Sequence, residues 1–341
     1  MRETIQQREY NTGVSVLKIW MAMSIVVCHF LNTECTPQLS HVFTIYGGVA
    51  VSVFVFLSFL YADAVYARNW EKIGRRLYRL LLPQCFFSIL YFTAYSTILF
   101  PANDIVQGEV SLRSFFMQLF FGAALNPPMW YLADLIILTI LFYIIFYFSR
   151  KEYGILISIL VAGIAIFMQY SGLNYRLWCG LPNESKWTAG RLAELIPIAV
   201  AGIVFSYYKI MDKISHHKLV VTITCFTTLL LVYKLDIFHP CEGFYYQGLQ
   251  QVVTAICLGC FFWLLPFEKL PAKIRGFINQ WACYNMGIIA MYYLIKAIYN
   301  TVINDVRRLS LLECLLIYAA ALVISMIGTH IPVKYVREAF R

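Results

Sequence analysis

The sequence predicts an all-α, polytopic membrane protein, a bundle of about ten transmembrane helices that forms a single domain over residues 1–341. Hydrophobic residues make up 60% of the chain and charged residues only 13%, whereas soluble domains carry about a quarter charged residues. Apolar stretches of ~20 residues, long enough for a helix to cross the hydrocarbon layer, recur along the whole chain. Because lipid cannot satisfy unpaired backbone groups, these stretches must be helices.

Ten apolar stretches qualify as membrane spans. They cover residues 13–33, 45–67, 77–100, 130–149, 154–170, 191–208, 218–236, 246–265, 282–303 and 311–332. The first is too long for a signal peptide and lacks a small-residue cleavage site, so we expect a permanent anchor. The stretch 114–125 is too short to cross, and we interpret it as an interfacial or re-entrant segment. We expect the longer connections 101–129 and 171–190 to cover the external mouth of the bundle, since ligand contacts concentrate in loops.

Basic residues orient this bundle. If the N-terminus is cytoplasmic and sides alternate, 18 of the 27 Lys and Arg residues fall on the cytoplasmic side and seven on the opposite side. The remaining two, Lys18 and Lys296, lie within spans. Basic loops resist translocation, so the bias predicts that both termini are cytoplasmic. It also accounts for the net charge of +9, and we expect no nucleic acid partner and no appended soluble domain.

The first span carries two ionisable side chains on one face. Lys18 and His29 are eleven residues apart, which at ~100° per residue returns almost to the same face, about 16 Å further along the axis. Ionisable groups are costly in a bilayer and are kept mainly where they line a cavity, pair or react. We therefore predict a water-accessible passage with a cation at its cytoplasmic end and an imidazole beyond the midplane. The alternative for His29 is a structural histidine bonded to a carbonyl.

Three further ionisable residues lie in the outer halves of other spans. Asp134, Glu194 and Lys296 fall within roughly 10 Å of His29 in depth, and we expect them to form a polar vestibule open to the outside. An imidazole beside a carboxylate suits general-base catalysis on a hydroxyl group. The alternatives are that Asp134 and Glu194 are interfacial carboxylates, and that Lys296 extends its amine to the surface.

Basic residues also crowd the junction of the second and third spans. They are Arg68, Lys72, Arg75, Arg76 and Arg79. Arginine pairs bidentately with phosphate oxygens, so this density predicts a site for a phosphate-rich cytosolic ligand. The alternative is positive-inside topology combined with attraction to anionic lipid.

Four motifs follow one another along the chain. They are the basic-x10-His pattern of Lys18 and His29, the second-helix segment 48–60, Arg75-Arg76-Leu77-Tyr78-Arg79-Leu80-Leu81-Leu82-Pro83, and Pro128-Met129-Trp130-Tyr131-Leu132. In this order they resemble the acyltransferase-3 family, ten-helix bacterial O-acetylases of surface polysaccharides, and the resemblance covers nearly the whole chain. The chain differs from the family pattern where Lys18 replaces an arginine, Ser15 an acidic residue, Phe59 a glycine and Lys296 a histidine.

The resemblance implies an O-acyltransferase that moves an acyl group, most often acetyl, from cytosolic acyl-CoA to a hydroxyl of an extracytoplasmic polysaccharide or lipid-linked glycan. It implies acyl-CoA as a donor substrate and no bound cofactor or metal. A multi-pass location in a bacterial inner (plasma) membrane, contact with membrane lipid and polysaccharide-assembly proteins as partners are expected with it. On this hypothesis Arg75, Arg76 and Arg79 hold the CoA phosphates, and Lys18 lies at the inner mouth of the conduit.

The same hypothesis gives roles to the outer residues. His29 deprotonates the acceptor hydroxyl, aided by Asp134 or Glu194. Lys296 or Trp130 positions the substrate or stabilises the oxyanion. A covalent acyl-His29 intermediate is an alternative route.

Two other classes of function fit a bundle with buried charges. One is a secondary transporter or exporter of a sugar-linked or anionic substrate, which would use the polar face as a pathway. Against it, the two halves of the chain lack the paired Gly/Pro-interrupted segments expected of discontinuous transporter helices. The other is a binding-only or regulatory relative of the enzymes.

Overall fold

A computed structural model of the protein describes residues 11–31, 37–97, 110–122, 129–170, 183–234, 248–303 and 309–340. These residues form helices, with one isolated bridge between Leu31 and Leu309 and no β-strand in the described ranges. The α-helices are α1 Thr12–Phe30, α2 Pro37–Leu60, α3 Asp63–Tyr66, α4 Trp70–Thr97, α5 Leu112–Phe121, α6 Trp130–Phe148, α7 Lys151–Tyr170, α8 Asn183–Tyr207, α9 Ile210–Ile214, α10 Lys218–Lys234, α11 Gly248–Leu264, α12 Ala272–Ala282, α13 Asn285–Ile303, α14 Leu311–His330 and α15 Lys334–Ala339.

Each of the ten predicted spans falls on one long helix. The corresponding helices are α1, α2, α4, α6, α7, α8, α10, α11, α13 and α14. Over the described residues, eight helices are long and apolar enough to cross a membrane, and the apolar part of α2, Tyr46–Leu60, is shorter. The predicted all-α, polytopic membrane bundle is therefore confirmed. The count of ten crossings, the cytoplasmic termini and the single domain stay predictions.

The third span begins earlier than its apolar sequence indicates. The sequence predicts a start near residue 77, but α4 starts at Trp70, where the Asn69 side chain accepts a hydrogen bond from the Lys72 amide (3.0 Å). Apolar content marks only the part of a helix that lies in lipid, so the charged first turns escape it. Four of the five basic residues are therefore carried by a helix, whereas Arg68 precedes it with a positive φ of 54°.

Helix α1 lies at the centre of the packing. It contacts α2, α11, α12, α13 and α14, while α2 also packs against α8 and α11. Gly202 of α8 permits a close approach to α2, since a Cβ at this position would lie 2.6 Å from the Phe56 carbonyl oxygen. The C-terminal end of α1 is hydrogen-bonded to the residue that precedes α14: the Leu309 amide donates to the Phe30 carbonyl (2.8 Å). His29 therefore sits on a well-anchored helix.

The C-terminal segment closes one side of the bundle. Helix α15 packs against α4 and α14, and the buried Phe340 ring lies 5.2 Å from the Phe87 ring. The ring also lies directly against two glycines, because a Cβ on Gly287 or Gly328 would lie within 2.8 Å of a Phe340 ring atom. Phe340 therefore fills the space between α4, α13 and α14.

Candidate functional site

A cavity of about 850 Å3 is bordered by α1, α2, α4, α6 and the start of α13. Its volume lies within the roughly 300–1,000 Å3 typical of small-molecule sites. Five basic residues line it: Lys18, Lys72, Arg75, Arg76 and Arg79. Asp63 is the carboxylate residue among the described lining residues. The fold thus brings the predicted arginines of α4 and the predicted Lys18 of α1 into one site of net positive charge.

Arg76 extends from α4 into the interior of the helix bundle. Its guanidinium donates to the Ser58 carbonyl (3.0 Å), the Ser58 hydroxyl (2.9 Å) and the Thr139 hydroxyl (3.2 Å). The central carbon of the guanidinium, Cζ, lies 5.0 Å from the centroid of the Phe59 ring. All three acceptors are neutral, and no carboxylate in the described part of the chain pairs with Arg76. Burying a charge without a counter-ion is expensive. An anion in the cavity would supply the missing opposite charge.

The other basic residues of the cavity are more exposed. Arg75 lies 3.8 Å from Glu71, but the two side chains are 69% and 88% exposed, so the pair is weak. Lys72 lies 3.4 Å from Asp63. Such surface pairs contribute little and exchange readily with a ligand anion. The cavity therefore combines a fixed guanidinium, Arg76, with cations that remain able to reorient.

The far part of the cavity is apolar. Phe54 and Leu57 of α2, Leu135 of α6 and Ile289 of α13 line it. The Tyr131 hydroxyl donates to Met286 Sδ (3.3 Å), which joins α6 to α13 at this end. The cavity lining therefore changes from cationic near α3 and the start of α4 to apolar between α6 and α13.

His29 is oriented by a backbone carbonyl. Its Nδ1 lies 2.8 Å from the Ile25 carbonyl oxygen, an acceptor only, so Nδ1 carries the hydrogen and Nε2 carries the lone pair. The Tyr292 hydroxyl lies 3.3 Å from the same Nδ1, and the Tyr293 ring centroid lies 5.6 Å from the imidazole centroid. The imidazole is exposed. This tautomer is the one that accepts a proton through Nε2.

Helix α13 follows the face of α1 that carries both ionisable residues. Lys18 shares the cavity with Asn285 and Ile289 near the start of α13, whereas His29 contacts Tyr292 further along the same helix. Tyr292 is three residues beyond Ile289, about 4.5 Å of helical rise. The apolar end of the cavity therefore comes within one helical turn of the residue that contacts His29.

Asp134 and Glu194 lie in a separate cluster between α6 and α8. Asp134 is fully buried and accepts from Arg191 Nε through Oδ2 (3.0 Å), while its Oδ1 has no hydrogen-bond partner among the described residues. Glu194, 7% exposed, interacts electrostatically with Arg191 and Asp134. The hydrogen bond of Asp134 thus goes to Arg191 and not to His29.

Trp130 belongs to the same cluster. The guanidinium of Arg191 lies 4.8 Å from the Trp130 ring centroid and donates to the Phe121 carbonyl at the end of α5 (3.2 Å). Gly122, with φ of 66°, lets α5 end directly against α6, since a Cβ there would lie 2.3 Å from Trp130 Cα. Arg191 therefore fastens the short helix α5 to the start of α6.

Lys296 forms a third group on α13. Its side chain is buried, and its Nζ lies 5.2 Å from the centroid of the Tyr299 ring. The Tyr299 hydroxyl donates to Glu313 Oε1 of α14 (2.6 Å). The four outer residues predicted at one depth are thus distributed over an α1–α13 group, an α6–α8 group and an α13–α14 group.

Sequence reasoning missed several residues of these groups. The predicted sixth span starts at residue 191, but α8 already begins at Asn183, so Arg191 lies well within the helix, three residues before Glu194. That spacing could have indicated the pair. No sequence signal marks Tyr292 as the neighbour of His29. No group of three His, Cys, Asp or Glu side chains that could hold a metal ion occurs within the described ranges.

Comparison with known proteins identifies one family. A family model described as an acyltransferase domain, of the acyltransferase-3 type, matches residues 11–330. No curated protein and no solved structure matches the chain. The family match covers every helix from α1 to α14, including the cavity and His29. The protein is therefore a membrane acyltransferase and belongs to the acyltransferase-3 family.

Proposed function

We propose that this protein is an O-acyltransferase that moves an acyl group, with acetyl as the first candidate, from cytosolic acyl-CoA to a hydroxyl of an extracytoplasmic glycan. The observation that carries the proposal is the positively charged cavity, in which the Arg76 guanidinium, among the described residues, is bonded to neutral oxygens alone. Acyl-CoA combines an anionic nucleotide end with an apolar acyl end. The cavity offers both environments in that order.

The basic wall of the cavity suits the donor phosphates. Arg76, held by Ser58 and Thr139, supplies a preorganised guanidinium, and Arg75 and Arg79 are exposed at the same wall. A guanidinium that is already held in place loses less side-chain entropy when it binds a ligand than a mobile one does. Lys72 of α4 and Lys18 of α1 bring the number of basic residues that line the cavity to five.

The thioester then lies toward the apolar end, between α6 and α13. To meet His29 it has to pass the buried Tyr292, which lies one turn beyond the cavity wall. We therefore expect the Tyr292 side chain to turn aside when a donor is bound. This movement would connect the cytosolic cavity with the outer half of the bundle.

The acyl transfer follows from the tautomer of His29. Nε2 removes the proton of the acceptor hydroxyl as its oxygen attacks the thioester carbonyl carbon. The tetrahedral intermediate then expels the CoA thiolate, which takes the proton back from the imidazolium, leaving an ester and CoA-SH. Lys296 is the better candidate for stabilising the oxyanion, because Arg191 already covers the Trp130 ring.

For the acceptor side we propose what the family resemblance implies. The acceptor is a glycan hydroxyl or a lipid-linked sugar, the protein lies in the inner membrane, and its partners are polysaccharide-assembly proteins. The cluster of Asp134, Arg191 and Glu194 supports this side indirectly, because it fastens α5 and Trp130 at the start of α6. In this proposal the cluster shapes the acceptor mouth, and His29 is the general base.

Labelled acetyl-CoA tests the reaction in membranes that contain the protein. We expect transfer of label to the glycan fraction with release of CoA-SH, and loss of transfer in His29→Ala with unchanged insertion. Retained transfer in His29→Ala would refute the assignment of the base. Arg75→Ala combined with Arg76→Ala should raise KM for acetyl-CoA at least tenfold, and an unchanged KM would return these residues to a topological role.

Cys283 permits a donor-binding assay that needs no acceptor. Its thiol is exposed and lines the cavity. We expect acetyl-CoA to slow alkylation of Cys283 by a maleimide, measured by mass spectrometry on the full chain. Cys85 of α4, which is half-buried and does not line the cavity, is the matched control. Equal alkylation of Cys283 with and without acetyl-CoA would contradict a donor site in this cavity.

A further inference from the structure

Asn285, the first residue of α13, places a polar side chain in the wall of the cavity. It is 6% exposed, and neither its Oδ1 nor its Nδ2 has a hydrogen-bond partner among the described residues. Buried amide groups are nearly always paired, because leaving them unpaired costs free energy. An amide that is unpaired on both sides and lines a cavity is therefore suited to a ligand.

The position of Asn285 agrees with the order of chemical groups in the donor. It lies two residues after Cys283, whose thiol interacts electrostatically with Lys18. It also lies one turn before Ile289, at the apolar end of the cavity. Along the cavity the lining therefore changes from cations to an unpaired amide and then to apolar side chains. Acyl-CoA presents phosphates, then an arm with two secondary amides, then the thioester.

We propose that Asn285 is a specificity-determining residue that binds the two secondary amides of the pantetheine arm of the donor. Its Nδ2 donates to the carbonyl of one amide, and its Oδ1 accepts from the N–H of the other. Both unpaired groups are satisfied in one step, and the thioester is held toward Ile289. The inference rests on the proposed function, because it takes acyl-CoA as the ligand of the cavity.

Ligand fragments separate the arm from the nucleotide. Adenine also offers a donor and an acceptor that an asparagine can bind bidentately, so the experiment uses acetyl-CoA, which contains the arm, and 3′-phospho-ADP, which does not. Affinities are measured by calorimetry on the purified full chain in detergent. Asn285→Leu removes the amide at similar volume. Asn300→Leu is the matched control, because Asn300 is also a buried residue of α13 with an unpaired Oδ1 but does not line the cavity.

We expect Asn285→Leu to weaken acetyl-CoA binding about tenfold, as the loss of a buried hydrogen-bonded pair would, and to leave 3′-phospho-ADP binding unchanged. We also expect the ligand-free Asn285→Leu protein to melt at a higher temperature than the unsubstituted protein, because two unsatisfied buried groups are gone. A residue with a structural role alone would not combine higher stability with weaker binding. Asn300→Leu should leave both affinities unchanged.

Different failures point to different errors. Unchanged acetyl-CoA binding in Asn285→Leu, or in Asn285→Ala if the leucine variant does not fold, would overturn the inference and leave the donor cavity intact. Equal loss of acetyl-CoA and 3′-phospho-ADP binding would move Asn285 to the nucleotide and overturn the assignment to the arm. If the unsubstituted protein bound neither ligand, the proposed donor itself would be wrong.

Discussion

The cluster of Asp134, Arg191 and Glu194 makes the sharpest prediction about stability. It holds two carboxyl groups and one guanidinium, and both side chains of the Arg191–Asp134 pair are largely buried, at 12% and 0% exposure. Replacing Arg191 by methionine leaves the carboxyl groups of Asp134 and Glu194 inside the helix bundle without the positive charge of Arg191. It also removes the hydrogen bond to the Phe121 carbonyl and the contact with the Trp130 ring. Breaking a buried ion pair from one side costs about 3–5 kcal/mol, and we expect roughly 4 kcal/mol for Arg191→Met.

The reverse substitution should be much milder. In Asp134→Asn the amide oxygen still accepts from Arg191 Nε, and Glu194 remains beside Arg191. We therefore expect a loss of about 1 kcal/mol, close to that of one weakened hydrogen bond. Combining both substitutions should cost less than Arg191→Met alone, because one of the two unpaired carboxyl groups is then absent.

Unfolding in mixed micelles with increasing denaturing detergent, followed by circular dichroism, measures these differences. Lys234→Met, at the end of the peripheral helix α10, is the control for loss of a positive charge at an exposed position. If Asp134→Asn destabilised as much as Arg191→Met, or if the two costs added in the double variant, the charge accounting of this cluster would be refuted.

Three further predictions concern the catalytic face and the C-terminus. His29→Ala should lower kcat by about 10²–10⁴-fold, the usual contribution of a general base, whereas Tyr292→Phe should lower it less than tenfold because the Ile25 carbonyl still fixes the tautomer. Initial-rate assays with acetyl-CoA compare the two, and equal losses would assign the orientation of His29 to Tyr292. Phe340→Ala should cost about 3–5 kcal/mol of unfolding free energy because the ring fills the space opposite two glycines. Tyr335→Ala, at a 61% exposed residue of the same segment, should cost little in the same measurement.

The positions of the long apolar helices could be predicted from the sequence because they depend on the chain alone. An apolar stretch of a given length crosses the bilayer as a helix, and 1.5 Å per residue gives the depth of each polar group. The grouping of α4 arginines with Lys18 was partly predictable, since both lie near span ends that the sequence places on the same side of the membrane. The start of α4 was not, because Trp70 to Arg76 are helical without being apolar.

The lateral arrangement of polar residues could not be predicted in the same way. The sequence predicts a similar depth for His29, Asp134, Glu194 and Lys296, but their neighbours depend on which helices are adjacent and how each is rotated. Helix α2 packs against both α1 and α8. His29 on α1 therefore lies in a different group from Asp134 on α6 and Glu194 on α8. An isolated sequence contains the rise along each helix but not these pairings, which arise from side-chain packing between helices.

Two buried arginines of this bundle have opposite electrostatic environments. Arg191 is next to two carboxyl groups, so its charge is compensated within the protein and its role is to fasten α5, α6 and α8. Arg76 is bonded to Ser58 and Thr139, whose oxygens orient the guanidinium without neutralising it. A structural arginine at that position would be more stable with an acidic partner, because hydrogen bonds to neutral groups do not offset the desolvation of a charge. The lack of an acidic partner for Arg76 within the described residues is therefore the reason for proposing an anionic ligand: the phosphates of the proposed donor would complete the charge balance of the cavity.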